Sequence, residues 1–579
     1  NLCVRGIFAL LWKKKGKVGV GIFFLLIIDG AQLIVPLILR RAIDNLALGV
    51  ATPGMIATYA LWLVGIALFV AFFRFFWRYF LMGASRESER DLRDRIYAHV
   101  MKLHAGFFSE ARTGDIMALA TNDAEAVRMA IGMGVVAASD AAIMGLFSLG
   151  AMIWISPSLT IYTAIPLAAT TLIVLFFSKA IFNRFKAVQE AFAEITERVR
   201  ETITGIRIIK AFVQEDGEIR SYRALNEDYV AKNMSLVKIW GFFWPLVTFF
   251  GGSATALVIW QGGAKAITGA ISLGDVVAFM NYLWILVWPM VAIGWVTNLL
   301  QRGSASMTRI QELLDTKPEI TEPARPHRDK ITGRVEFRGL IFSYGEETDP
   351  VLKDITITLD AGMTLGIVGR TGSGKTTLVS LLPRIFDPPP GTVLVDGVDV
   401  RDWSLETLRG AIGFVPQEAF LFSATIRENI AFFNPDAPEE DVIAAAKAAG
   451  IWHEIEDMPD GLETIVGERG VTLSGGQRQR VALARALIKD PQILILDDTL
   501  SAVDFETEER ILNNLRRFLP GRTGLIISHR LSAVAEADLI IVLDYGRIAE
   551  KGTHEELLKL GGIYGKTWEL QQLERATVA

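Results

Sequence analysis

The chain has 579 residues, of which 51% are hydrophobic, and its formal net charge is -5. This length predicts more than one domain, because single hydrophobic cores stop growing well below it. The single cysteine, Cys3, excludes a disulfide framework and a cysteine-based metal cluster. The negative net charge and the lack of a basic tract of the nucleic-acid-binding kind argue against a nucleic-acid partner.

Long apolar runs are confined to the first half of the chain. Crossing a hydrocarbon layer of ~30 Å takes about 20 helical residues, and six segments are long enough. We expect membrane helices near residues 18–39, 56–81, 131–155, 159–181, 237–261 and 275–299. The lysines at 13–15 and 17 read as the basic flank of the first membrane helix rather than as a signal peptide.

The links between these segments alternate in length and charge. Residues 46–55, 156–158 and 262–274 are short and contain one basic residue, Lys265. Residues 82–130 and 183–236 are long and rich in arginine. Because basic residues stay on the cytoplasmic side, both long links and both termini are expected there, although Arg40 and Arg41 run against the rule.

The long links show a helical pattern and read as helices that continue out of the membrane. Each contains a glycine-marked turn, which predicts transverse coupling turns near residues 112–116 and 204–210. A solvated, charged helical hairpin is the alternative. The membrane domain is then expected to span residues 1–314, with a proline-rich linker at 315–332 and an α/β domain at 333–579.

A phosphate-binding loop follows a short apolar strand at Leu365–Gly369 and precedes an apolar helix. Its pattern is that of a Walker A motif in its strand–loop–helix context. Glycines let backbone N–H groups approach phosphate oxygens, and the helix N-terminus adds its positive dipole end. The residues expected to bind nucleotide here are Gly369, Arg370, Thr371, Gly372, Ser373, Gly374, Lys375, Thr376 and Thr377.

A carboxylate follows the apolar strand Ile493–Leu496, as in a Walker B motif. Asp497 is expected to help hold Mg²⁺, unless it merely caps the next turn. Between the two motifs, Leu473–Gln477 opens a helix with a serine and two glycines, which is a second anion-binding helix terminus. A second cradle implies either a second ligand or the same nucleotide contacted from another subunit.

Together these motifs resemble the ABC transporters, specifically exporter half-transporters of the multidrug and lipid-flippase type. The resemblance covers essentially the whole chain. It implies an all-α six-helix transmembrane domain with long cytoplasmic helical extensions, followed by an α/β P-loop NTPase domain. ATP and Mg²⁺ are the implied cofactors. The implied location is a bacterial inner membrane, with the termini and the cassette in the cytoplasm.

The resemblance also implies roles for individual residues. Tyr344 would stack on adenine, and the Thr464–Gly470 stretch would touch the coupling helices. The signature residues that would cap the γ-phosphate held by a partner chain are Ser474, Gly475, Gly476 and Gln477, and Asp504 would lie in a loop across the dimer interface. The implied catalytic residues are Asp498, His529 and Gln417. The implied metal-site residues are Thr376, Gln417 and Asp497.

Asp498 departs from the family pattern, which has glutamate after the Walker B aspartate. An aspartate is one methylene shorter, and a misplacement of ~1 Å can cost about 100-fold in rate. We therefore expect slow hydrolysis at the site built on Lys375. In the family such a replacement is common in heterodimers, which favours a second, different half-transporter as the partner. A homodimer with a slow aspartate-based site stays open.

The expected function is ATP-driven export of a hydrophobic or amphipathic small molecule, lipid or peptide by alternating access. A catalytically silent, nucleotide-gated regulatory subunit is the alternative from another class, and a cassette importer is disfavoured. Asp29 and Asp140, deep in two predicted spans, are candidates for a cargo site or water cavity, with a helix–helix hydrogen bond as the alternative. Arg74 is expected to snorkel to the interface.

Overall fold

The structure is a computed structural model, and it describes residues 12–345, 348–467, 473–500 and 505–578. Its contacts divide the chain into two compact units. The first holds the described residues up to Met101 together with Thr113–Thr316. The second holds Lys102–Arg112 and the described residues from Lys317 onward.

Within the described residues, six helices are long and apolar enough to cross a membrane. They are α1 (Lys15–Ala47), α2 (Pro53–Val100), α4 (Thr113–Ile155), α5 (Pro157–Thr204), α7 (Glu215–Ile267) and α8 (Leu273–Asp315). Each predicted span lies inside one of them. Two short helices lie between them, α3 (Ala105–Glu110) and α6 (Ile206–Ala211).

Helix α8 forms the centre of the membrane unit. It packs against α4 and α1, while α5 and α7 run along each other. Phe279 and Tyr282 of α8 are buried, and the Tyr282 hydroxyl donates to the Leu33 carbonyl oxygen at 2.8 Å. In contrast, α2 and α7 leave most of their apolar side chains exposed. Lipid or a second chain must therefore cover those two helices.

Three of the membrane helices begin after residues whose side chains accept hydrogen bonds from free N–H groups of the first turn. Thr52 accepts from the N–H of Met55 before Pro53, and Ser156 accepts from the N–H of Leu159 before Pro157. At the start of α8, Ser272 and Asp275 form a capping box. Proline and hydroxyl residues at these positions are strong helix-start signals, so the sequence itself sets where these helices begin.

Asp44 ties the end of α1 to the start of α8. Its Oδ2 accepts from the Ser272 hydroxyl at 2.8 Å, and its Oδ1 accepts from the Gly274 N–H at 2.7 Å. Arg40, one turn earlier, pairs with Asp275 at 2.8 Å. The approach is so close that a Cβ on Gly274 would lie 2.2 Å from the Arg40 carbonyl oxygen and 2.6 Å from Asp44 Oδ1. Glycine is therefore required at this crossing.

We predict that Gly274→Ala lowers the unfolding midpoint of the purified protein in detergent, since overpacking costs ~1–3 kcal/mol. Gly263→Ala is the matched control, because no described atom lies within 4 Å of a Cβ at that helical glycine. The control is expected to leave the midpoint unchanged or raise it. Thermal unfolding followed by light scattering or fluorescence measures both variants. Equal midpoints for the two would contradict this packing.

The first predicted coupling turn, near residues 112–116, stays a prediction. Between α2 and α4 the chain leaves the helical conformation at Met101–His104 and again at Ala111–Arg112, and α3 lies between these two breaks. Thr113 and Gly114 already lie in α4, whose first turn carries Asp115. An acidic residue in a first turn favours the helix N-terminus, and this outweighs the glycine as a turn signal. The second predicted turn, 204–210, overlaps α6.

Two β-sheets form the frame of the second unit. Among the described residues, an antiparallel sheet has the order β2-β1-β4-β5, and a second sheet has the order β10-β9-β3-β8-β7-β6. In the second sheet, β9, β3, β8, β7 and β6 are parallel and β10 is an antiparallel edge. The strands are β1 (Val335–Phe342), β2 (Leu352–Leu359), β3 (Thr364–Gly369), β4 (Val393–Val395), β5 (Val398–Asp399), β6 (Ile412–Val415), β7 (Ile493–Asp497), β8 (Thr523–Ile527), β9 (Leu539–Asp544) and β10 (Arg547–Gly552).

The helices of this unit are mostly short. They are α9 (Lys375–Ser380), α10 (Leu405–Ala411), α11 (Ile426–Ile430), α12 (Glu439–Ala448), α13 (Trp452–Glu456), α14 (Gly475–Leu487), α15 (Phe505–Phe518), α16 (His554–Leu560) and α17 (Ile563–Val578). Residues 317–334, which contain most of the predicted linker, carry no helix or named strand, and His327 packs its ring against Trp403 at 4.4 Å.

The parallel sheet is apolar on both faces. Alternate residues of β7 point to opposite sides, so Ile493 and Ile495 join one buried cluster while Leu494 and Leu496 join another. The first cluster also contains Leu378 and Val379 of α9, and the second contains Val481 and Leu483 of α14. Helices α9 and α14 therefore pack on opposite faces of the sheet. Six apolar helices followed by this α/β unit confirm the predicted fold class.

Candidate nucleotide-binding site

The loop from Gly369 to Gly374 has a backbone that only glycine accommodates at three positions. Gly369, Gly372 and Gly374 have φ values of 152°, 81° and 97°. A Cβ on Gly369 would lie 2.2 Å from the Leu543 carbonyl oxygen, and one on Gly374 would lie 2.8 Å from Leu352. The loop therefore curls tightly between β3 and α9, and Arg370, Thr371 and Gly372 form its exposed tip.

Lys375 begins α9 and turns its ammonium group back into the loop. Its Nζ donates to the carbonyl oxygens of Gly369 at 2.9 Å and Arg370 at 2.8 Å. Burial lowers the pKa of Lys375, while Asp498 and Asp497 act in the opposite direction. The lysine is thus held under the loop, close to the two carboxylates of the Walker B strand.

Several polar atoms beneath the loop are buried without a protein partner. Within the described residues, no hydrogen bond reaches Ser373 Oγ or Asp497 Oδ2. Burial raises the pKa of the Asp497 carboxyl, while the neighbouring Thr376 hydroxyl lowers it. Buried polar atoms are costly to leave unpaired, so these atoms fit a phosphate and a magnesium ion as ligands.

Tyr344 lies beside the loop, on the side of the first sheet. Its hydroxyl group is 2.7 Å from Thr377 Oγ1. Its ring packs edge-on against Phe342 at 5.3 Å and Phe386 at 5.0 Å, and the residue is 53% exposed. A fixed, half-exposed aromatic ring can stack on a nucleotide base.

The other predicted site residues follow neighbouring parallel strands. Ile527 of β8 is paired with Ile367 of β3 and with Asp497 of β7, and Val415 of β6 is paired with Leu496. His529 and Gln417 come two residues after β8 and β6 respectively. Because the carboxyl ends of parallel strands share one edge, all of these residues meet at the edge where the loop begins.

Asp498 has a left-handed backbone, with φ of 48°. Its N–H donates to the Ile527 carbonyl oxygen at 3.0 Å, and its Oδ1 accepts from the N–H of His529 at 3.4 Å. Aspartate enters this backbone region more readily than longer side chains do, because its carboxylate can bond locally. The carboxylate is 7% exposed and turns toward the His529 segment.

The signature residues lie at the start of α14. Ser474 Oγ accepts from the N–H of Gln477, whose Oε1 accepts from the N–H of Ser474 at 2.8 Å. Gln477 Nε2 also donates to Glu454 at 2.9 Å, and Arg480 pairs with the same carboxylate. These contacts order the turn. Helix α14, which these residues begin, packs on the opposite face of the sheet from α9.

Comparison with known proteins agrees with this geometry. Residues 18–290 match the family described as ABC transporter transmembrane region, and residues 352–501 match the family described as ABC transporter. The Probable multidrug resistance ABC transporter ATP-binding/permease protein YheI of Bacillus subtilis is 38% identical over 96% of this chain and 95% of its own length. The chain belongs to the ABC transporter family.

Further relatives place the chain among the exporters of this family. The Multidrug resistance-like ATP-binding protein MdlA of Escherichia coli is 38% identical over 95% of this chain and 94% of its own length. The ATP-dependent lipid A-core flippase of Desulfotalea psychrophila is 37% identical over 83% of this chain and 84% of its own length. The solved structure of a bacterial Atm1-family ABC exporter with ATP bound aligns with a TM-score of 0.79 at 28% identity, over 96% of this chain and 98% of that one.

The transporter is therefore an ATPase coupled to transport and a multi-pass protein of the bacterial inner membrane, with a cassette that binds ATP. Two sequence predictions lie outside the described residues. One is Asp504, and the other is the part of the Thr464–Gly470 stretch from Glu468 onward. Thr464 and Ile465 are described, and Ile465 forms an isolated bridge with Thr425.

A clamp on the His529 segment of the transporter has no signal in the sequence. Gln571 of α17 donates to the His529 carbonyl oxygen at 2.8 Å and accepts from the Leu531 N–H at 3.0 Å. Arg530 pairs with the buried Glu508. Neither Gln571 nor Glu508 belongs to a recognisable motif, and both are distant in sequence from His529. Only the folded chain brings them to the site.

We predict that Gln571→Leu speeds amide hydrogen exchange of Leu531 by about two- to tenfold, because each lost hydrogen bond is worth ~0.5–1.5 kcal/mol. Gln572→Leu is the matched control, since Gln572 is exposed one residue further along the same helix. Exchange is measured by mass spectrometry on peptides covering Ser528–Ala533 of the intact, nucleotide-free transporter. The same exchange rate in both variants would contradict the clamp.

Proposed function

We propose that the chain is one half of a dimeric exporter that moves hydrophobic or amphipathic molecules across the membrane by alternating access. The observation that carries the proposal is the placement of α9 and α14 on opposite faces of one sheet. One nucleotide would contact the Lys375 loop of one subunit and the Ser474 turn of the other. A single chain would leave both cradles half-complete.

The residues around the loop have separate proposed roles. Backbone N–H groups of the loop and Lys375 would bind the β- and γ-phosphates, and Tyr344 would stack on adenine. Thr376, Asp497 and Gln417 would hold a magnesium ion, which when bound neutralises charge developing on the phosphoryl oxygens. The buried, unpartnered Asp497 Oδ2 supports this assignment.

Hydrolysis would depend on Asp498, His529 and Gln417. A water-activating group needs hydrogen-bond reach first and a suitable pKa second. The Asp498 carboxylate is short and accepts from the His529 backbone N–H at 3.4 Å, so it is directed at the neighbouring segment. This geometry supports a slow, degenerate site on this chain.

The degenerate site favours a heterodimer. Ser474, Gly475, Gly476 and Gln477 are intact here and are ordered by the capping box and Glu454. This chain would then complete a competent site on a different half-transporter that carries glutamate after its Walker B aspartate. A homodimer with a slow aspartate-based site is the second candidate, because His529 and Gln417 are both present.

The membrane unit would receive the closing motion of the cassettes through short helices. Helix α3 belongs to the same compact unit as the cassette, although its chain neighbours α2 and α4 belong to the membrane unit. His104 at its start pairs with Glu319 at 3.2 Å. Helix α6, with the exposed Ile206 and Ile208, would serve the same purpose.

Relatives named as multidrug transporters and as a lipid A-core flippase support an apolar or amphipathic cargo. An aromatic cavity supports it as well. It has a volume of about 370 Å³ and lies between α5, α7 and α8. Its aromatic lining consists of Phe182, Phe185, Trp240, Phe243, Trp244 and Trp295. A pocket lined mainly by apolar and aromatic side chains can bury a hydrophobic ligand.

Two substitutions in this chain separate the candidates. In a heterodimer with a competent partner site, Ser474→Arg should lower ATP turnover by more than ~100-fold, because it blocks the cradle that serves the partner's nucleotide. Lys375→Ala should lower turnover by less than ~10-fold, because it removes only the slow site. Turnover is measured on the purified complex in lipid.

Thr553→Arg is the matched control for Ser474→Arg. Thr553 caps α16 with the same capping-box geometry, so both variants lose a cap worth ~1 kcal/mol. Turnover of the control should equal that of the unmodified complex. Equal, severe losses from Ser474→Arg and Lys375→Ala would instead support the homodimer. A complex without turnover would support the nucleotide-gated regulatory subunit.

We predict that Asp498→Glu raises ATP turnover of the assembled complex, because the added methylene extends the carboxylate toward the attacking water. The expected gain is several-fold, limited by the left-handed backbone at this position. Steady-state phosphate release measures the gain in turnover. The rate of the separate Lys375→Ala variant gives the background from the rest of the complex. No gain from Asp498→Glu would mean that side-chain reach is not what limits this site.

A further inference from the structure

Charged side chains are scarce in the membrane spans, and three of them, from three different spans, belong to one neighbourhood. They are Asp29 in the first predicted span, Arg74 in the second and Asp140 in the third. The fourth, fifth and sixth spans carry charges only near their ends, at Lys179, Lys238 and Asp275. Charges in a bilayer interior are costly and mark functional sites by default.

The carboxyl groups of Asp29 in α1 and Asp140 in α4 are close enough to interact with each other. Asp29 is 1% exposed, and within the described residues no donor reaches its Oδ2. Asp140 is partly exposed, and the Trp288 indole N–H of α8 donates to its Oδ2 at 2.7 Å. Arg74 of α2 is near enough to act on Asp29 electrostatically.

The charges of this cluster do not balance. Two carboxylates face one guanidinium, which leaves one negative charge when both are ionised. Trp288 of α8 contributes a polar contact to this cluster. It brings no charge, and the chain between Val276 and Gln301 carries no charged residue. An unbalanced buried charge is strongly unfavourable. With both carboxyl groups ionised, the cluster therefore requires one more positive charge beside Asp29 and Asp140, and either a proton or a bound cation can supply it.

A simple helix–helix contact does not account for this arrangement. A polar side chain that serves packing is expected to have its hydrogen bonds satisfied by the neighbouring helix. Asp29 instead keeps one buried oxygen that no donor of the described residues reaches, and its neighbour Asp140 is another carboxyl group rather than a donor. Asp140 and Trp288 form the accessible side, where an aromatic ring is already placed to contact a cation.

We propose that Asp29 and Asp140 form a binding site for the positive charge of an organic monovalent cation, which exchanges with one proton. The proposal rests on the proposed export function, and it narrows the cargo to amphipathic cations. With no cation bound, one proton lies between the two carboxyl groups. Entry of the cation releases that proton to solvent, so the charge of the site stays the same.

The test uses the intact transporter in lipid nanodiscs without nucleotide. Ethidium, an organic monovalent cation, is the probe, and fluorescence polarisation measures its dissociation constant. Asp29→Asn and Asp140→Asn should each weaken ethidium binding about tenfold or more, the equivalent of ~1.4 kcal/mol. Asp29→Glu should keep most of the affinity, because it keeps the charge. Binding should weaken as pH falls, because protons compete with the cation.

Asp228→Asn is the matched control, since it removes an exposed carboxylate that pairs with Lys232 outside the predicted spans. It should leave ethidium binding unchanged. The uncharged dye Nile red should bind all variants equally. Calorimetry in two buffers of different ionisation enthalpy should show about one proton released per ethidium bound in the unmodified protein and none in Asp29→Asn.

Unchanged ethidium binding in both Asn variants would overturn the proposal, as would an equal loss of Nile red binding. Unfolding midpoints identify a variant that fails to fold. If an Asn variant fails to fold, the ethidium affinity of Asp29→Glu decides the question by itself. A failure of the export function is a different result. It would appear as absent ATP-dependent transport of Nile red into inverted vesicles, whereas cation binding is measured without ATP.

Discussion

Apolar packing on both faces of the parallel sheet is the constraint on which the ATP-binding half depends. Each inner strand buries alternate residues in two separate clusters. One face holds α9 behind the phosphate-binding loop, and the other holds α14 behind the signature turn. The sheet therefore separates two anion-binding helix starts that lie on the same chain. Because one bound nucleotide cannot reach both faces, this packing supports the proposed dimer.

The same sheet places its polar groups at one edge. Strand pairing brings the ends of β3, β8, β7 and β6 together, and the loop around Lys375 closes over that edge. Burial raises the pKa of Asp497 and lowers that of Lys375, so each group is costly to hold in its charged form without the other. Polar atoms that remain unpartnered there are the ones that a phosphate and a metal ion can satisfy.

The membrane unit is held together differently from the sheet. Helix caps and close helix crossings fix its helices. Asp44 and Gly274 lock α1 against α8, while α2 and α7 leave their apolar surfaces for lipid or a second subunit. Three of the few charged residues inside the membrane spans, Asp29, Arg74 and Asp140, lie near one another. Asp29 and Asp140 come from different helices, and Trp288 from a third completes the group.

The sequence by itself determined the elements whose signals are local. The six membrane helices and the loop at Gly369–Lys375 could be read from neighbouring residues, because glycines and apolar runs act over a few positions. The tertiary structure decided what depends on distant partners. It placed a short helix at Ala105–Glu110, joined Gln571 to His529, and brought Asp29 near Asp140. Those contacts join residues that are far apart in the chain, and no local pattern encodes them.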